Sequence, residues 1–344
     1  MSNYVKILAG GRARSALRFG VSAVAVALCL LSGGAAAAPT YTIFDVSGSL
    51  ATAPAAIDAG GSVTGSYVDV SGIFHGFVRA SDGTVTPFDP KASISTEPAG
   101  INTKGAIVGD YADASGVDHG FLRKPGGKIA RIDPKGSVST DVTSINAGGS
   151  VAGSYCDANS FCHGFIQTAD GTVTKFDVKG SIDTYAESIN TNGDVAGSWD
   201  DSNGYHGFVR TADGTVTKFD VSGSTETDPK GINDLGAIAG VYKDTGSSSR
   251  HGFIRTADGT ITTFDPVGSQ DTGAWAINGK GAIAGFWNDG SLWHGFVRSA
   301  KAKITSFDPP DSVYTQPNGI NDSGVITGIF YDAGGGRHGF LRTP

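Results

Sequence analysis

From residue 41 onward the chain runs in short apolar stretches that alternate with polar positions and break at Gly, Asp, Ser and Asn. "GAIAGFW" (281–287), "HGFIR" (251–255) and "TITTFD" (260–265) are typical. Their period is two rather than 3.6, and Gly and β-branched residues dominate them, so they read as strands separated by turns. Three strands recur in a constant order: a small apolar one (A), His-Gly-Phe-aliphatic-Arg (B) and Thr-x-Phe-Asp (C). A fourth, less regular strand is expected in "SIDTYAESIN" (181–190) and its equivalents.

The order recurs because the chain is a repeat. All seven histidines lie in His-Gly-Phe: His75, His119, His163, His206, His251, His294 and His338, spaced 43 to 45 residues apart. An Arg follows two residues after the Phe (Arg79, Arg123, Arg210, Arg255, Arg298, Arg342), except for Gln167. Upstream of each lies Ile-Asn-x-x-Gly, with Asp58 in place of Asn in the first copy. That step reads as an Asx turn with Gly at positive φ. A Gly-x-aromatic-x-Asp stretch comes next.

Between B and C, a two-residue type I′ turn on Asp82-Gly83 would put Phe77 opposite Phe88. The same operation pairs Phe165 with Phe176, Phe208 with Phe219, Phe253 with Phe264 and Phe121 with Ile132. Lys301-Ala302 keeps the spacing but lacks the Gly.

Units of about 44 residues with three or four strands match propeller blades. Strand A, being small, is expected near the axis. The last copy stops after strand B, whereas "YTIFDV" (41–46) is a strand C with nothing before it. Complementary ends suit a closed ring better than an open solenoid, which would need capping repeats. The expected fold is therefore all-β: a seven-bladed β-propeller closed by the N-terminal strand pairing into the C-terminal blade.

The N-terminus changes the picture of where this fold resides. Lys6, Arg12, Arg14 and Arg18 precede an apolar run at 19–31 and then "SGGAAAAP", the pattern of a Sec-type signal peptide cleaved near residue 37. Leu28 is too large for a lipobox before Cys29. Residues 38–344 are expected to form one exported domain, periplasmic or secreted, monomeric and without a membrane span. Cleavage leaves 22 basic residues against 33 acidic ones, a net charge of −11, which disfavours nucleic acid as a partner. Cys156 and Cys162 then face an oxidising compartment and are expected to form a disulfide across the A–B hairpin.

His-Gly-Phe after Ile-Asn-x-x-Gly resembles the bacterial extracellular HAF (His-Ala-Phe) repeat family over nearly the whole exported chain, with Gly replacing the middle Ala throughout. The resemblance implies export and a repeat fold. It brings no reaction or ligand.

Seven identical histidines one unit apart cannot converge on a metal or a reaction, so they read as structural. The Asp after each Phe or Ile (Asp45, Asp89, Asp133, Asp177, Asp220, Asp265, Asp308) is expected to latch onto a His or Arg of the next unit. Several histidines are expected to be buried and neutral, with depressed pKa and stability lost in acid. A charged His–Asp latch would reverse that sign. The Asp after each strand A aromatic begins a turn. Only "DDSNG" (200–204) approaches a Ca2+ loop, and the turn reading is preferred there too. No metal or other cofactor is expected. No Gly-x-Ser-x-Gly, His-Glu-x-x-His or phosphate-loop motif is present.

Departures from symmetry single out ligand candidates. Trp275, Trp287 and Trp293 fall in one unit, and Trp199 lies near Tyr205 in another. Centring the hairpin on Gly290 pairs Trp287 with Trp293 beside Asp289, a subsite for a sugar ring; packing in the core is the competing reading. Trp275 is expected on the opposite face. The leading function is a non-catalytic propeller binding a glycan or an extracellular protein. The alternatives are a carbohydrate-active hydrolase or lyase using carboxylates near the central channel, and a purely structural repeat.

Overall fold

In the computed structural model, residues 38–344 are described; the expected signal peptide and Cys29 lie outside them. Among the described residues every regular element is a strand, and no helix is long and apolar enough to cross a membrane. The unit is a four-strand antiparallel meander. In the second copy, Ser93–Ile101 pairs with Ile107–Asp113, which pairs with Asp118–Arg123, which pairs with Ile129–Ile132. Six copies repeat this order along the chain. In the seventh, Ser312–Ile320, Ile326–Asp332 and Arg337–Thr343 are followed by no further strand of their own. Their fourth strand is Thr40–Phe44, in register from Thr40↔Thr343 to Phe44↔Gly339.

The less regular strand is the innermost one, which corrects the expectation for strand A. Its C-terminal Asn explains why. The Oδ1 of Asn102 accepts from the backbone of Lys104 and Ala106, the expected Asx turn. Its Nδ2 is thereby turned outward and donates to the carbonyl of Asn146, 3.1 Å away in the next unit. Asn146, Asn190, Asn233 and Asn278 repeat the bond, and Asn321 donates to the carbonyl of Asp58 at 3.1 Å. Asp58 has no amide to donate. Six side-chain bonds thus tie the inner strands of all seven units in sequence order and join the last to the first.

The outer hairpin is displaced by one residue from the sequence reading. Gly76, not Phe77, faces Phe88, and Arg79 faces Val85. The loop spans five residues: Ala80 N bonds Thr84 O and only Gly83 has positive φ. Asp82 is spared the left-handed conformation that a type I′ turn would impose, and its carboxylate instead accepts from Thr84 N. In the sixth copy Ala302 adopts φ 63° where the others use Gly.

The shift has two consequences. First, the Phe88 ring lies on Gly76, where a Cβ would sit 2.9 Å from ring carbons. From there it meets Phe121 of the next unit edge-on, an arrangement repeated with centroids 5.9 to 6.2 Å apart. In six units the Arg two residues after the buried Phe caps the stack, its guanidinium 4.8 to 5.1 Å from the preceding unit's ring; Gln167 stands there in the third. The seven His-Gly-Phe phenylalanines are fully buried.

Second, His75 now opposes Asp89 within one unit rather than across a boundary. Nδ1 is 2.8 Å from Asp89 and Nε2 3.5 Å from Asp69. All seven histidines sit between two carboxylates in this way, including His338 with Asp45 from the opposite chain end. What Asp89 reaches in the next unit is the Thr96 hydroxyl, at 2.7 Å, rather than a His or Arg.

The expectation of neutral, depressed histidines is therefore corrected for His75, His294 and His338. Burial pulls their pKa down, but the flanking carboxylates outweigh it and the net shift is upward. Raised folded values mean that this stabilisation is complete below the unfolded pKa of about 6.5 and is lost as pH rises through the folded values. NMR titration of these three rings should give pKa values above the model-peptide value. Values below it would restore the neutral reading.

Cys156 and Cys162 face each other at the end of their hairpin and form a disulfide, with Cα atoms 4.0 Å apart. This covalent link fits an oxidising compartment.

Candidate ligand-binding site

Each inner strand carries a β-bulge two residues before its Ile-Asn step, where the register skips one position. The cause is a Gly on the neighbouring strand. Gly197 approaches so closely that a Cβ there would lie 2.0 Å from the carbonyl of Tyr185; Gly65, Gly109 and Gly153 do the same in their units. The skipped residues are Ala55, Ala99, Thr143, Glu187, Lys230, Trp275 and Asn318. All seven line one cavity of about 450 Å³.

This column of the repeat differs from copy to copy while positions close to it stay constant. The Thr three residues before it (Thr52, Thr96, Thr140, Thr184, Thr227, Thr272, Thr315) is buried in every unit, and the Ile two residues after it is invariant across the copies. A second ring of varied residues, including Glu97, Asp110, Asp141, Ser66 and Arg337, surrounds the same cavity.

The cavity is electrically divided. On one side Glu97 pairs in register with Asp110, and Asp141 follows in the next unit. Burial, then the charges of Asp141 and Glu97, push the Asp110 carboxyl up to about 8. Burial and the charges of Asp118 and Glu97 also raise Asp141, which is hydrogen-bonded to Asp110. Both carboxyls are thus held above the usual carboxylate range, and Asp110 stays protonated near neutral pH. Farther round, burial lifts Glu187 to about 7 despite Lys230, whose Nζ is 3.8 Å away. Lys230 also pairs with Asp228 at 2.7 Å and stands 5.5 Å from the Trp275 ring centre. Burial penalises its ammonium, but the two carboxylates prevail and its pKa is raised. Asn318 donates to Pro54 O at 2.7 Å and accepts from Gln316 at 3.0 Å.

The tryptophans are arranged differently from the sequence reading. Trp287 opposes His294 and Trp293 opposes Asn288, so the two rings project to opposite faces of the sheet. Trp287 packs on His294 with centroids 5.0 Å apart, as Trp199 packs on His206 at 4.5 Å. Both belong to the interior. Tyr205 opposes Asp200, not Trp199, and is 43% exposed. Asp289 is taken up by its turn, accepting from Ser291 and Leu292 N–H groups that hold its pKa far below the usual carboxylate range. Trp275 and Trp293, expected on different faces, share one: Phe286 lies between them, with centroids 5.3 and 5.5 Å away. Of the tryptophans, Trp275 lines the cavity.

Sequence reasoning missed Glu187, Lys230, Asn318, Arg337, Asp110, Asp141 and Glu97. A usable signal existed: aligning the seven copies shows that the positions between the invariant Thr and the invariant Ile vary most, and these include Ala55 through Asn318 and the column of Glu97 and Asp141.

No family model matches the chain, and no curated protein matches it. Solved structures do. Virginiamycin B lyase from Staphylococcus aureus is similar at 14% identity and TM-score 0.57, covering 89% of this chain and all of its own. The β-propeller domain of the Trilobed protease from Pyrococcus furiosus, described as having an open velcro topology, is similar at 12% identity and TM-score 0.61, with 84% and 94% coverage. The Cps50 (Swd1) β-propeller domain from Myceliophteria thermophila gives 10% identity and TM-score 0.50, with 87% and 98% coverage. At these identities the likeness shows the fold alone: this chain is a β-propeller.

Proposed function

We propose that this is an exported seven-bladed propeller, closed by Thr40–Phe44, that binds a glycan at one mouth of its central channel without chemical turnover. The His–Asp pairs hold each blade together and lie outside the ligand site. The HAF-repeat resemblance is compatible with this role and adds no ligand to it.

The observation that carries the reading is the convergence on one cavity of the seven bulge residues, which differ from copy to copy between invariant Thr and Ile positions. Residues that serve only the ring repeat seven times; residues that meet an asymmetric ligand need not. The lining combines an aromatic face, an amide, two cations and several carboxylates, the mixture that suits a ring with an apolar face and many hydroxyls. A protein segment is the competing occupant. The Asp110–Asp141 pair supports a second reading, a hydrolase or lyase in which the Asp110 proton serves acid–base chemistry.

A glycan array followed by product analysis of the bound species tests both. Binding without new reducing ends or unsaturated products supports the first reading, and cleavage supports the second. Trp275→Ala is expected to weaken binding by about tenfold or more with little change in melting temperature. Trp293→Ala, outside the cavity, is expected to leave affinity unchanged. The reverse pattern would move the site away from the channel mouth.

A further inference from the structure

The seven blades allow one arginine to be compared with its own counterpart. Arg337 and Arg250 occupy the same place, immediately before the His of the third strand. Arg250 is neutralised by Asp271, the first residue of the next blade's inner strand: its Nε and Nη2 lie 3.0 and 2.8 Å from Oδ1, and its backbone N–H is 3.3 Å from Oδ2. The position equivalent to Asp271 in the blade after Arg337 is Ala51, whose backbone bridges to Arg337. No carboxylate among the described residues pairs with Arg337, and its Nε is shielded from solvent with no hydrogen-bond partner. Arg337 lines the channel-mouth cavity.

The same blade that withholds the partner also makes room. Ala53 and Ala55 line the cavity; the equivalent positions are Glu97 and Ala99 in the following blade and Gln316 and Asn318 in the preceding one. The result is a notch floored by methyl groups, overlooked by an unpaired guanidinium, one blade away from Trp275. Arg337 is half-buried, and with no anionic partner its fork of donors is free to match a carboxylate bidentately.

We infer that the ligand is an acidic glycan, a uronate-containing chain whose carboxylate docks on Arg337 over Ala53 and Ala55 while a sugar ring lies against Trp275. This rests on the glycan-binding reading above and narrows it. The acidic wall does not oppose such a ligand outright, because burial and the neighbouring carboxylates raise the Asp110 carboxyl to about 8, so that it is uncharged near neutral pH.

The test compares trigalacturonate, its neutral galactose trimer and a glucosamine trimer by calorimetry on the exported chain, residues 38–344. Trigalacturonate is expected to bind at least about tenfold more tightly than the neutral trimer. Ala51→Asp, which recreates the Arg250–Asp271 pair without touching Arg337, is expected to abolish that preference. Arg337→Gln should do the same, with melting temperature monitored in both. Equal binding of acidic and neutral trimers, a preference that survives both variants, or tighter binding of the glucosamine trimer would overturn the inference while leaving glycan binding intact. Failure of all three, with no other glycan captured on an array, would remove the glycan reading itself and this inference with it.

Discussion

Deleting residues 38–48 is expected to give an aggregating chain with a much lower melting temperature. The segment contributes the whole outer strand of the last meander, five register positions against Arg337–Thr343. Its side chains reach farther. Phe44 meets Phe77 edge-on with centroids 6.2 Å apart and carries the Arg79 guanidinium at 4.9 Å; Tyr41 meets Phe307; Val46 is 5% exposed. Asp45 is the 2.8 Å partner of His338. Burying each large apolar side chain contributes about 1.5–3 kcal/mol. Losing three of them together with a hydrogen-bonded ladder removes much of the roughly 5–15 kcal/mol that holds a typical domain. What remains is an unpaired strand edge, a template for association. Size-exclusion chromatography and thermal melting of the truncated chain decide the matter. A truncated protein that stays monomeric with an unchanged melting temperature would sink the closed-ring proposal.

The second large effect is expected from Gly197→Ala. The added methyl would stand 2.0 Å from the Tyr185 carbonyl oxygen and 2.9 Å from the Phe208 ring. Neither can yield cheaply. The carbonyl belongs to the strand that forms the bulge, and Phe208 is fully buried. Relief requires moving the bulge at Glu187 or unseating the ring, and a cost of about 3 kcal/mol or more is expected. Gly223→Ala is the control. Its φ is +84° and no atom lies within 4 Å of the new methyl, so only the left-handed backbone penalises it, by about 1 kcal/mol. Denaturant midpoints of the two variants should differ accordingly. A Gly197→Ala protein no less stable than the control would mean that the close approach does not shape the bulge. Because the bulge aims Glu187 into the cavity, ligand affinity should fall along with stability.

Much of the architecture is legible in the chain because it is local and repeated. Alternation marks the strands, Gly and Asn mark the turns, and the spacing of His-Gly-Phe sets the unit. The half-copies at the two ends pair as their sequences suggest, since strand character and length survive any small error in register. The register itself does not. Phe88 stands next to both possible partners, and local turn preference favours an Asp-Gly pair in a type I′ turn. What overrides it is the ring of Phe88 lying on Gly76 and meeting Phe121 of another unit, a contact more than thirty residues away in sequence. One residue of slip then decides which face every later side chain takes. It moved Asp89 onto His75; a separate one-residue offset in the hairpin between the second and third strands put Trp287 opposite His294 and Trp293 opposite Asn288.

The candidate site was the least legible feature. Single substitutions at Ala55, Ala99, Thr143, Glu187, Lys230, Trp275 and Asn318 look like ordinary surface variation when read one copy at a time. No motif links Lys230 to Trp275, because their proximity arises from neighbouring blades rather than neighbouring positions. The sequence by itself determined an all-β repeat, the order of its strands, its disulfide and the matching of its two ends, because each depends on interactions within one hairpin or on the count of copies. Only the tertiary structure decided the hairpin register, the bond from each Asn amide to the next inner strand, and the gathering of seven unlike residues around one cavity. Those depend on how closely a Gly lets two backbones approach and on which blades stand side by side around the channel.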